Sequence, residues 1–202
     1  MRAKRARLRR MIRDRRRALS QLQRRHAADA VARNSAVIRL LGRHSRMAFY
    51  LANDGEIDPA LLMERLHHAG KHCYLPVLDR HRDRALWFAP HSPGGPTVRN
   101  RFGIPEPLTP PGGRLRASQL DVVILPLVAF DEQGNRLGMG GGFYDRSLSF
   151  LGHRHRWRRP LLLGLGYQFQ QIDTLATRSW DVPLDGIITE RGLRWFGARQ
   201  TE

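Results

Sequence analysis

The chain of 202 residues contains a single cysteine, Cys73, and lacks an apolar run of the length that crosses a membrane. One cysteine cannot form an intramolecular disulfide, which excludes the disulfide-rich scaffolds of small secreted proteins. The longest apolar stretches, DVVILPLVAF and PLLLGLGY, contain proline or glycine and fall short of the roughly 18 residues that a membrane helix requires. The sequence also opens without an apolar secretory segment. We therefore expect a cytoplasmic protein that does not enter a membrane.

Acidic residues are scarce: 18 Asp and Glu stand against 35 Lys and Arg, for a formal net charge of +17. The excess is concentrated in residues 1–25, which hold twelve Lys and Arg and one acid, Asp14. Such a segment can bind RNA, act as an Arg-rich targeting peptide, place a basic helix face on a polyphosphate, or simply be solvated. Aromatic residues are not interleaved with the arginines as a nucleic-acid stacking platform would require. Nucleic-acid binding is therefore the alternative and not the leading hypothesis.

The apolar spacing predicts alternating helices and strands. Leu8, Met11, Ile12 and Leu19 recur at helical intervals, so the basic segment is predicted to be a docked helix with one narrow apolar stripe. Ser20 and Gln23 form a capping-box pattern at the start of a second helix, predicted over about 21–41. Asp58 and Pro59 begin another helix that ends before Gly70. Strands are predicted for MAFYL, HCYLPVL, ALWFA, DVVILPLVAF, PLLLGLGY and DGIIT.

This alternation predicts an α/β fold, with one three-layer domain over 1–202 and a mainly parallel, Rossmann-like sheet flanked by helices. The basic segment 1–19 is expected to pack on that domain. Residues 90–118 are rich in proline and glycine and are predicted to form a long irregular stretch. Loops of that length inside a compact domain are usually functional or disordered.

Residues 131–148, DEQGNRLGMGGGFYDRSL, follow the strongest predicted strand and precede a predicted helix. Bare backbone N–H groups in such a loop, together with a helix N-terminus, can hold phosphate. The loop is neither a Rossmann fingerprint nor a Walker loop, since Phe143 occupies the place of a glycine and no Walker lysine is present. A glycine-rich tight turn without a ligand would show the same composition. Arg136, Tyr144 and Asp145 within the loop favour the phosphate hypothesis.

The same stretch, with FYLANDGEID, GKHCYLPVL, RFGIPEP and WDVPLDGIITE in this order and spacing, resembles the 5-formyltetrahydrofolate cyclo-ligase family, also called methenyltetrahydrofolate synthetases. The resemblance extends from the basic N-terminal segment nearly to the C-terminus. It implies an ATP-dependent cyclisation of 5-formyltetrahydrofolate to 5,10-methenyltetrahydrofolate, with Mg2+ as cofactor and release of ADP and phosphate. We expect a monomer that acts on these small molecules, including polyglutamylated folate, and that has no nucleic-acid partner.

The resemblance also implies which residues contact ATP. They fall into two groups, the basic segment and the glycine loop: Arg5, Ala6, Arg7, Leu8 and Arg9; Arg136, Leu137, Gly138, Met139, Gly140, Gly141, Gly142, Phe143 and Tyr144. Arg136, Tyr144 and Asp145 are the implied catalytic residues, with Arg136 as the phosphate-binding cation. The reaction needs positioning and charge neutralisation and no protein nucleophile.

For folate, the resemblance implies contacts from Leu51, Glu56 and Phe102, together with Met139 to Phe143 of the glycine loop. On its strand position alone, Leu51 is better explained as a core residue. The implied magnesium ligands are Asp145 and Asp181, and carboxylates are the groups that Mg2+ prefers. An acid in the first turn of a helix is also common without a metal, and Asp185 in WDVPLD is a rival to Asp181.

Overall fold

The computed structural model describes residues 2–78, 85–101, 103–153 and 160–197. The helices of this part are α1 (Arg2–Arg17), α2 (Gln21–Arg33), α3 (Ser35–Gly42), α4 (Ala60–His68) and α5 (Phe143–Ser147). The strands are β1 (Arg46–Ala48), β2 (His72–Leu78), β3 (Leu86–His91), β4 (Thr97–Arg99), β5 (Pro105–Pro107), β6 (Val122–Pro126), β7 (Ala129–Phe130), β8 (Arg136–Leu137), β9 (Leu161–Leu165), β10 (Gly186–Thr189) and β11 (Gly192–Trp195). Among these residues no helix is both long and apolar enough to pass through a bilayer.

A seven-stranded sheet in the order β11-β10-β9-β6-β1-β2-β3 forms the centre of the described structure. The five inner strands pair in parallel, whereas β3 and β11 are antiparallel strands at the two edges. The chain runs from β1 to β2 on one side and then returns to β6, β9 and β10 on the other. The predicted α/β fold with a mainly parallel sheet flanked by helices is confirmed.

Both faces of the sheet are buried, which explains why β6 is continuously apolar. Val122 and Ile124 pack with α2, α3 and α4 in one core cluster. Val123 and Leu125, the alternate residues of the strand, pack in a second cluster with Leu148 after α5. A strand with no solvent-facing side cannot show an alternating pattern, and its length and flanking turns were the signals that identified it.

Helix α1, predicted within the basic segment 1–19, differs from its predicted form in its docked face. It begins at Arg2, and Met11, assigned to the apolar stripe, is 57% exposed. Ile12 is buried and Leu8 packs beside Leu137, as the stripe predicted. The residue of α1 that is completely buried is Arg16. The docked face is therefore partly charged, which an apolar stripe could not indicate.

The single helix predicted over 21–41 is wrong, because Asn34 divides it into α2 and α3. Its backbone is extended, with φ −66° and ψ 116°, and its Oδ1 accepts hydrogen bonds from the N–H groups of Ala36 and Val37. Asn34 thus ends one helix and caps the next, as short polar side chains commonly do. The capping box of Ser20 and Gln23 is confirmed, with both of its hydrogen bonds present.

The single strand predicted for 121–130 is also wrong. The chain leaves the central sheet after Pro126, and Ala129 and Phe130 pair instead with β8 in a small hairpin. The predicted irregular stretch 90–118 contains the β4–β5 hairpin, and β11 was not predicted. These strands are short, and two prolines in β5 remove the usual strand signal.

We expect Asn34→Ala to lower the free energy of unfolding by about 1 kcal/mol, because two N–H groups of α3 lose their acceptor. Urea unfolding followed by circular dichroism measures this change. Ser35→Ala, an exposed neighbour, is the control and should stay within about 0.5 kcal/mol of the native protein. Equal stability of the two variants would contradict the capping role of Asn34.

Candidate active site

The parallel strands β1 and β6 lie side by side at the topological switch point of the sheet. From β1 the chain adds strands toward one edge of the sheet, and from β6 it adds strands toward the other edge. In open α/β sheets, ligands bind outside the carboxyl ends of strands at such a switch point. Two loops meet there, one after β1 (residues 49–59) and one after β6 (residues 127–142). The crevice between them therefore identifies a candidate ligand site from topology alone.

Arg16 of α1 bridges these two loops. Its Nε donates to the carbonyl oxygen of Asp54 at 2.7 Å, and its Nη2 donates to Oδ2 of the same residue at 2.8 Å. Its Nη1 reaches the carbonyl oxygen of Leu127 at 3.4 Å and lies 3.5 Å from Oε1 of Glu56. A guanidinium with several fixed donors suits this set of acceptors. Sequence analysis missed Arg16 because it is one of many arginines in α1.

Asp54 gathers three arginines of α1. Besides Arg16, Nε of Arg13 donates to its Oδ2 at 2.6 Å, and Nε of Arg17 donates to its Oδ1. Burial opposes ionisation of this carboxyl group, but the hydrogen bonds from Arg13, Arg17 and Arg16 lower the pKa of Asp54 to about 2. Asp54 also has a positive φ of 53°, a conformation that aspartate tolerates better than most residues.

The glycine loop is held by Asp131, which is fully buried at the end of β7. Its Oδ1 accepts hydrogen bonds from the N–H groups of Gln133 and Asn135, and its Oδ2 accepts from that of Leu175. Gly134 completes the turn at φ 79°, where a Cβ would lie 2.8 Å from the carbonyl oxygen of Leu184. Sequence analysis missed Asp131, although aspartate, glycine and asparagine within the five residues 131–135 are typical of a turn.

The glycines of the loop itself lie between α1 and α5. Gly140 has φ 108°, and Gly142, with φ 65°, precedes the first residue of α5. Nε of Arg9 donates to the carbonyl oxygen of Gly138 at 2.8 Å. A Cβ at Gly140 would lie 3.6 Å from the Arg9 guanidinium. The basic helix therefore lies directly on the loop that was predicted to bind phosphate.

Arg136 is almost completely buried beneath this loop. Its Nη2 lies 2.5 Å from Oδ1 of Asp145, and its Nη1 donates to the carbonyl oxygen of Val182. Burial lowers the pKa of Arg136, while the charges of Asp145 and Asp181 oppose that shift. Two of the predicted catalytic residues are thus in direct contact, and both predicted metal ligands act on the same guanidinium.

The two candidate aspartates at the second metal position have different environments. Oδ2 of Asp181 accepts from the N–H of Arg178 and lies 3.5 Å from Nη2 of Arg5. Asp185 is buried, and its Oδ2 accepts from the N–H of Leu162 at 2.8 Å within the central sheet. Asp181 therefore lies at the site, whereas Asp185 supports a strand. Within the described ranges no cluster of three or more His, Cys, Asp or Glu side chains is present.

Three arginines lie close together beside the glycine loop. Burial lowers the pKa of Arg9, and the charges of Arg5 and Arg178 lower it further. The Nε atom of Arg5 is buried without a hydrogen-bond partner among the described residues. Sequence analysis missed Arg178, which is 169 positions beyond Arg9 in the chain and follows no motif. This concentration of positive charge is suited to an anion with several negative charges.

The remaining predicted ATP contacts differ in their exposure. Ala6 and Arg7 are exposed on the outer side of α1, and Leu137 is fully buried in β8. Met139 is exposed in the loop, and Phe143 is half-buried with the Arg146 guanidinium 5.6 Å from its ring centroid. In the segment 5–9 the residues that contact other parts of the structure are Arg5, Leu8 and Arg9.

Glu56 of the loop after β1 lies within electrostatic reach of Tyr144 of α5. Oε2 of Glu56 accepts from the N–H of Asn53 at 3.1 Å. Burial raises the pKa of Glu56, although the charge of Arg16 opposes the shift. Burial also raises the pKa of Tyr144, and the Glu56 charge raises it further. Tyr144 is thus a neutral phenol close to both Glu56 and Arg136.

Two clefts adjoin this side of the structure. One of about 860 Å³ lies between α2 and residues 52–61 and is lined in part by Glu56. A second of about 360 Å³ is lined by Leu51, together with Tyr50, His67 and His91. Leu51 is partly buried against the core, as its alternative explanation predicted. Phe102, the third predicted folate contact, lies outside the described residues.

A doubly wound sheet with a glycine loop, arginines and carboxylates at its switch point defines a class of α/β proteins that bind phosphorylated ligands. Residues 1–190 match the 5-formyltetrahydrofolate cyclo-ligase family, and the chain belongs to that family. It is therefore an enzyme of the ligase class.

Individual relatives agree with this assignment. The chain is 39% identical to the 5-formyltetrahydrofolate cyclo-ligase of Haemophilus influenzae over 187 residues, which cover 92% of this chain and 97% of the relative. It is 40% identical to the protein of that name from Escherichia coli over 179 residues, with 89% and 96% covered. The NMR structure of Aquifex aeolicus 5,10-methenyltetrahydrofolate synthetase superposes with a TM-score of 0.79 at 29% identity, covering 98% of this chain and 96% of that one.

We expect Arg16→Met to cost about 3–5 kcal/mol of unfolding free energy, because it leaves Asp54 and Glu56 without their buried cation. Arg17→Met is the matched control. Arg17 also contacts Asp54, but its side chain is 52% exposed, so its loss should cost about 1 kcal/mol or less. Urea unfolding of both variants measures the difference, and equal losses would contradict the bridging role of Arg16.

Asp54 should make the stability of the protein depend on pH in acid. Its pKa of about 2 is below the value near 4 of an unfolded aspartate, so its stabilisation is complete above pH 4 and is lost as the pH falls toward 2. We expect the difference in unfolding free energy between the native protein and Asp54→Asn to narrow by about 2 kcal/mol over this interval. Urea titrations at several pH values measure it. A difference independent of pH would refute the prediction.

Proposed function

We propose that the protein catalyses the ATP-dependent cyclisation of 5-formyltetrahydrofolate to 5,10-methenyltetrahydrofolate, with release of ADP and phosphate. The observation that carries this proposal is the meeting of two chemically different loops at the switch point. The loop after β6 offers glycines and arginines for a polyphosphate, and the loop after β1 offers Glu56 beside a cleft large enough for a second organic ligand. The relatives named above support the same activity.

The phosphate chain of ATP fits the surface formed by Arg5, Arg9 and Arg178. Burial and, after it, the charges of Arg5 and Arg178 lower the pKa of Arg9, and an anion bound among these cations would oppose that shift. The buried Nε of Arg5 would gain a hydrogen-bond acceptor at the same time. Backbone N–H groups of the glycine loop would add further donors.

The carboxylates of Asp145 and Asp181 fit Mg2+, which takes oxygen ligands from one or two carboxylates together with phosphate and water. Both lie close enough to Arg136 for their charges to act on its pKa. Bound at this position, Mg2+ would supply positive charge to the phosphates and help to align them. Asp181 is the better second ligand because the Asp185 carboxylate is already bound to the backbone of β9.

The reaction needs activation because a formamide oxygen is a poor leaving group. In the proposed sequence the formyl oxygen attacks the γ-phosphorus, the bond to ADP breaks, and an imidate phosphate forms. N10 then attacks the formyl carbon and loses its proton, and phosphate leaves as the amidinium product forms. The protein residues contribute by holding both substrates in line and by neutralising charge on the transferring group, with Arg136 and the arginines of α1 as the cations.

Glu56 is suited to orient the pterin. Its two oxygens are fixed by the Asn53 N–H and by Arg16, and a carboxylate can accept two parallel N–H donors from a heterocycle. Burial keeps the Tyr144 phenol neutral, so its hydroxyl can donate a hydrogen bond to a ligand bound between Glu56 and Arg136. A preference for polyglutamylated folate, a monomeric state and a cytoplasmic location stay predictions, as does the assignment of the chain to one domain.

Nucleic-acid binding remains the alternative for the basic segment. The docked arginines Arg9, Arg13 and Arg16 are held by protein acceptors, while Lys4 and Arg7 are exposed. The concentration of inward-facing contacts on one helix face is more consistent with a helix that completes a ligand site. We therefore do not propose a nucleic-acid partner.

We expect Asp145→Asn to reduce turnover about 100-fold or more, since it removes a charge that orients Arg136 and would bind Mg2+. Near-UV absorbance of the conjugated product, with 5-formyltetrahydrofolate, Mg2+ and ATP, measures turnover. The control is Asp173→Asn, an exposed aspartate, which should retain native activity. Circular dichroism verifies that both variants are folded. Undiminished turnover of a folded Asp145→Asn protein would contradict this role, and no ATP-dependent product from the native protein would refute the proposed function.

A further inference from the structure

Trp180 is a large aromatic side chain that the fold leaves 62% exposed. It lies in a loop anchored on both sides, since Leu175 and Val182 are buried in the core clusters. A single exposed apolar residue is common on protein surfaces and by itself indicates nothing. The residues around Trp180, however, connect it to the candidate phosphate site.

The indole is connected to the candidate phosphate site through short contacts. The guanidinium carbon of Arg178 lies 5.3 Å from the centroid of the Trp180 ring. The N–H of Arg178 donates to Oδ2 of Asp181, which lies 3.5 Å from Nη2 of Arg5. The ring therefore borders the ion pair that joins this loop to α1.

The same loop also contacts the glycine loop, because Nη1 of Arg136 donates a hydrogen bond to the carbonyl oxygen of Val182. Arg9 is hydrogen-bonded to the Gly138 carbonyl, and the charges of Arg5 and Arg178 both act on Arg9. Arg178 thus lies within electrostatic reach of the phosphate-binding cations while it contacts the indole. A ligand that is anionic at one end and aromatic at the other would match this arrangement.

We propose that Trp180 is the base platform of the nucleotide site, on which the purine ring of ATP stacks while its phosphates lie among Arg5, Arg9 and Arg178. The inference rests on the proposed function, because it requires a nucleoside triphosphate at the glycine loop. Arg178 lies over one face of the indole and restrains it, and the base stacks on the exposed face. Stacking on an aromatic ring depends on the π-face of a base and not on its hydrogen-bonding edge.

The test compares MgATP with Mg-tripolyphosphate, which carries the phosphates without a base. Isothermal titration calorimetry measures both affinities for the native protein, Trp180→Ala and Trp180→Phe. We expect Trp180→Ala to weaken ATP binding by about five- to a hundredfold and to leave tripolyphosphate binding unchanged. Trp180→Phe, which keeps an aromatic face, should recover most of the loss. Leu22→Ala, a similarly exposed apolar residue on α2, is the matched control and should bind both ligands as the native protein does.

Two results would overturn the platform while leaving the phosphate site intact. One is native ATP affinity in Trp180→Ala, which would show that the indole does not contact the base. The other is an equal loss for ATP and tripolyphosphate, which would show that Trp180 only supports the Arg5–Asp181 pair. Failure of the native protein to bind either ligand would overturn the phosphate site and the platform together. If the native protein binds ATP but does not form the cyclised product, the proposed function is wrong and the base platform is not affected.

Discussion

The buried guanidinium of Arg16 is the interaction on which the site depends. A charge removed from water is tolerated only when its hydrogen bonds are met, and here the acceptors come from Asp54, Leu127 and Glu56 on the two crevice loops. The docking of α1 is thereby coupled to the conformation of both loops. Because Arg9 lies two turns earlier on the same helix, this contact also determines where Arg9, a proposed phosphate-binding cation, lies.

Helix α1 can approach the loop after β1 closely because the backbone of that loop has an uncommon conformation at Asp54 and Gly55. Asp54 and Gly55 both have positive φ, and a Cβ at Gly55 would lie 3.0 Å from the carbonyl oxygen of Arg16. Local strain of this kind persists only where surrounding contacts determine the conformation, as the three arginines do at Asp54. Helix packing and turn geometry therefore stabilise each other, and Glu56, two residues further, is fixed by both.

The parts of the structure that could be predicted from the sequence are those with local signals. The β2 strand matched its predicted bounds, and the glycine loop was identified from its position after a buried strand. The helix boundary at Asn34 was missed because the residues on both sides of it follow a helical pattern. The end of β6 at Pro126 was missed because the apolar run continues past this residue. At the site, Arg16 and Arg178 depend on partners far away in the chain, and composition cannot distinguish one arginine from another. The pairing of charged side chains was therefore the main feature of the site that could not be predicted from the sequence.

The long sequence separation between the basic helix and two of its partners has a consequence for biosynthesis. Arg5 and its partner Asp181 are 176 positions apart, and Arg9 is separated from Gly138 by 129. Translation adds roughly 5–20 residues per second, so Asp181 is synthesised about 9–35 s after Arg5. Arg5 and Arg9 therefore lack these partners during that interval. Asp54, which binds the later arginines of α1, is synthesised much sooner. The contacts of Arg5 and Arg9 can form only after both partners have been synthesised, so this part of the candidate site assembles late.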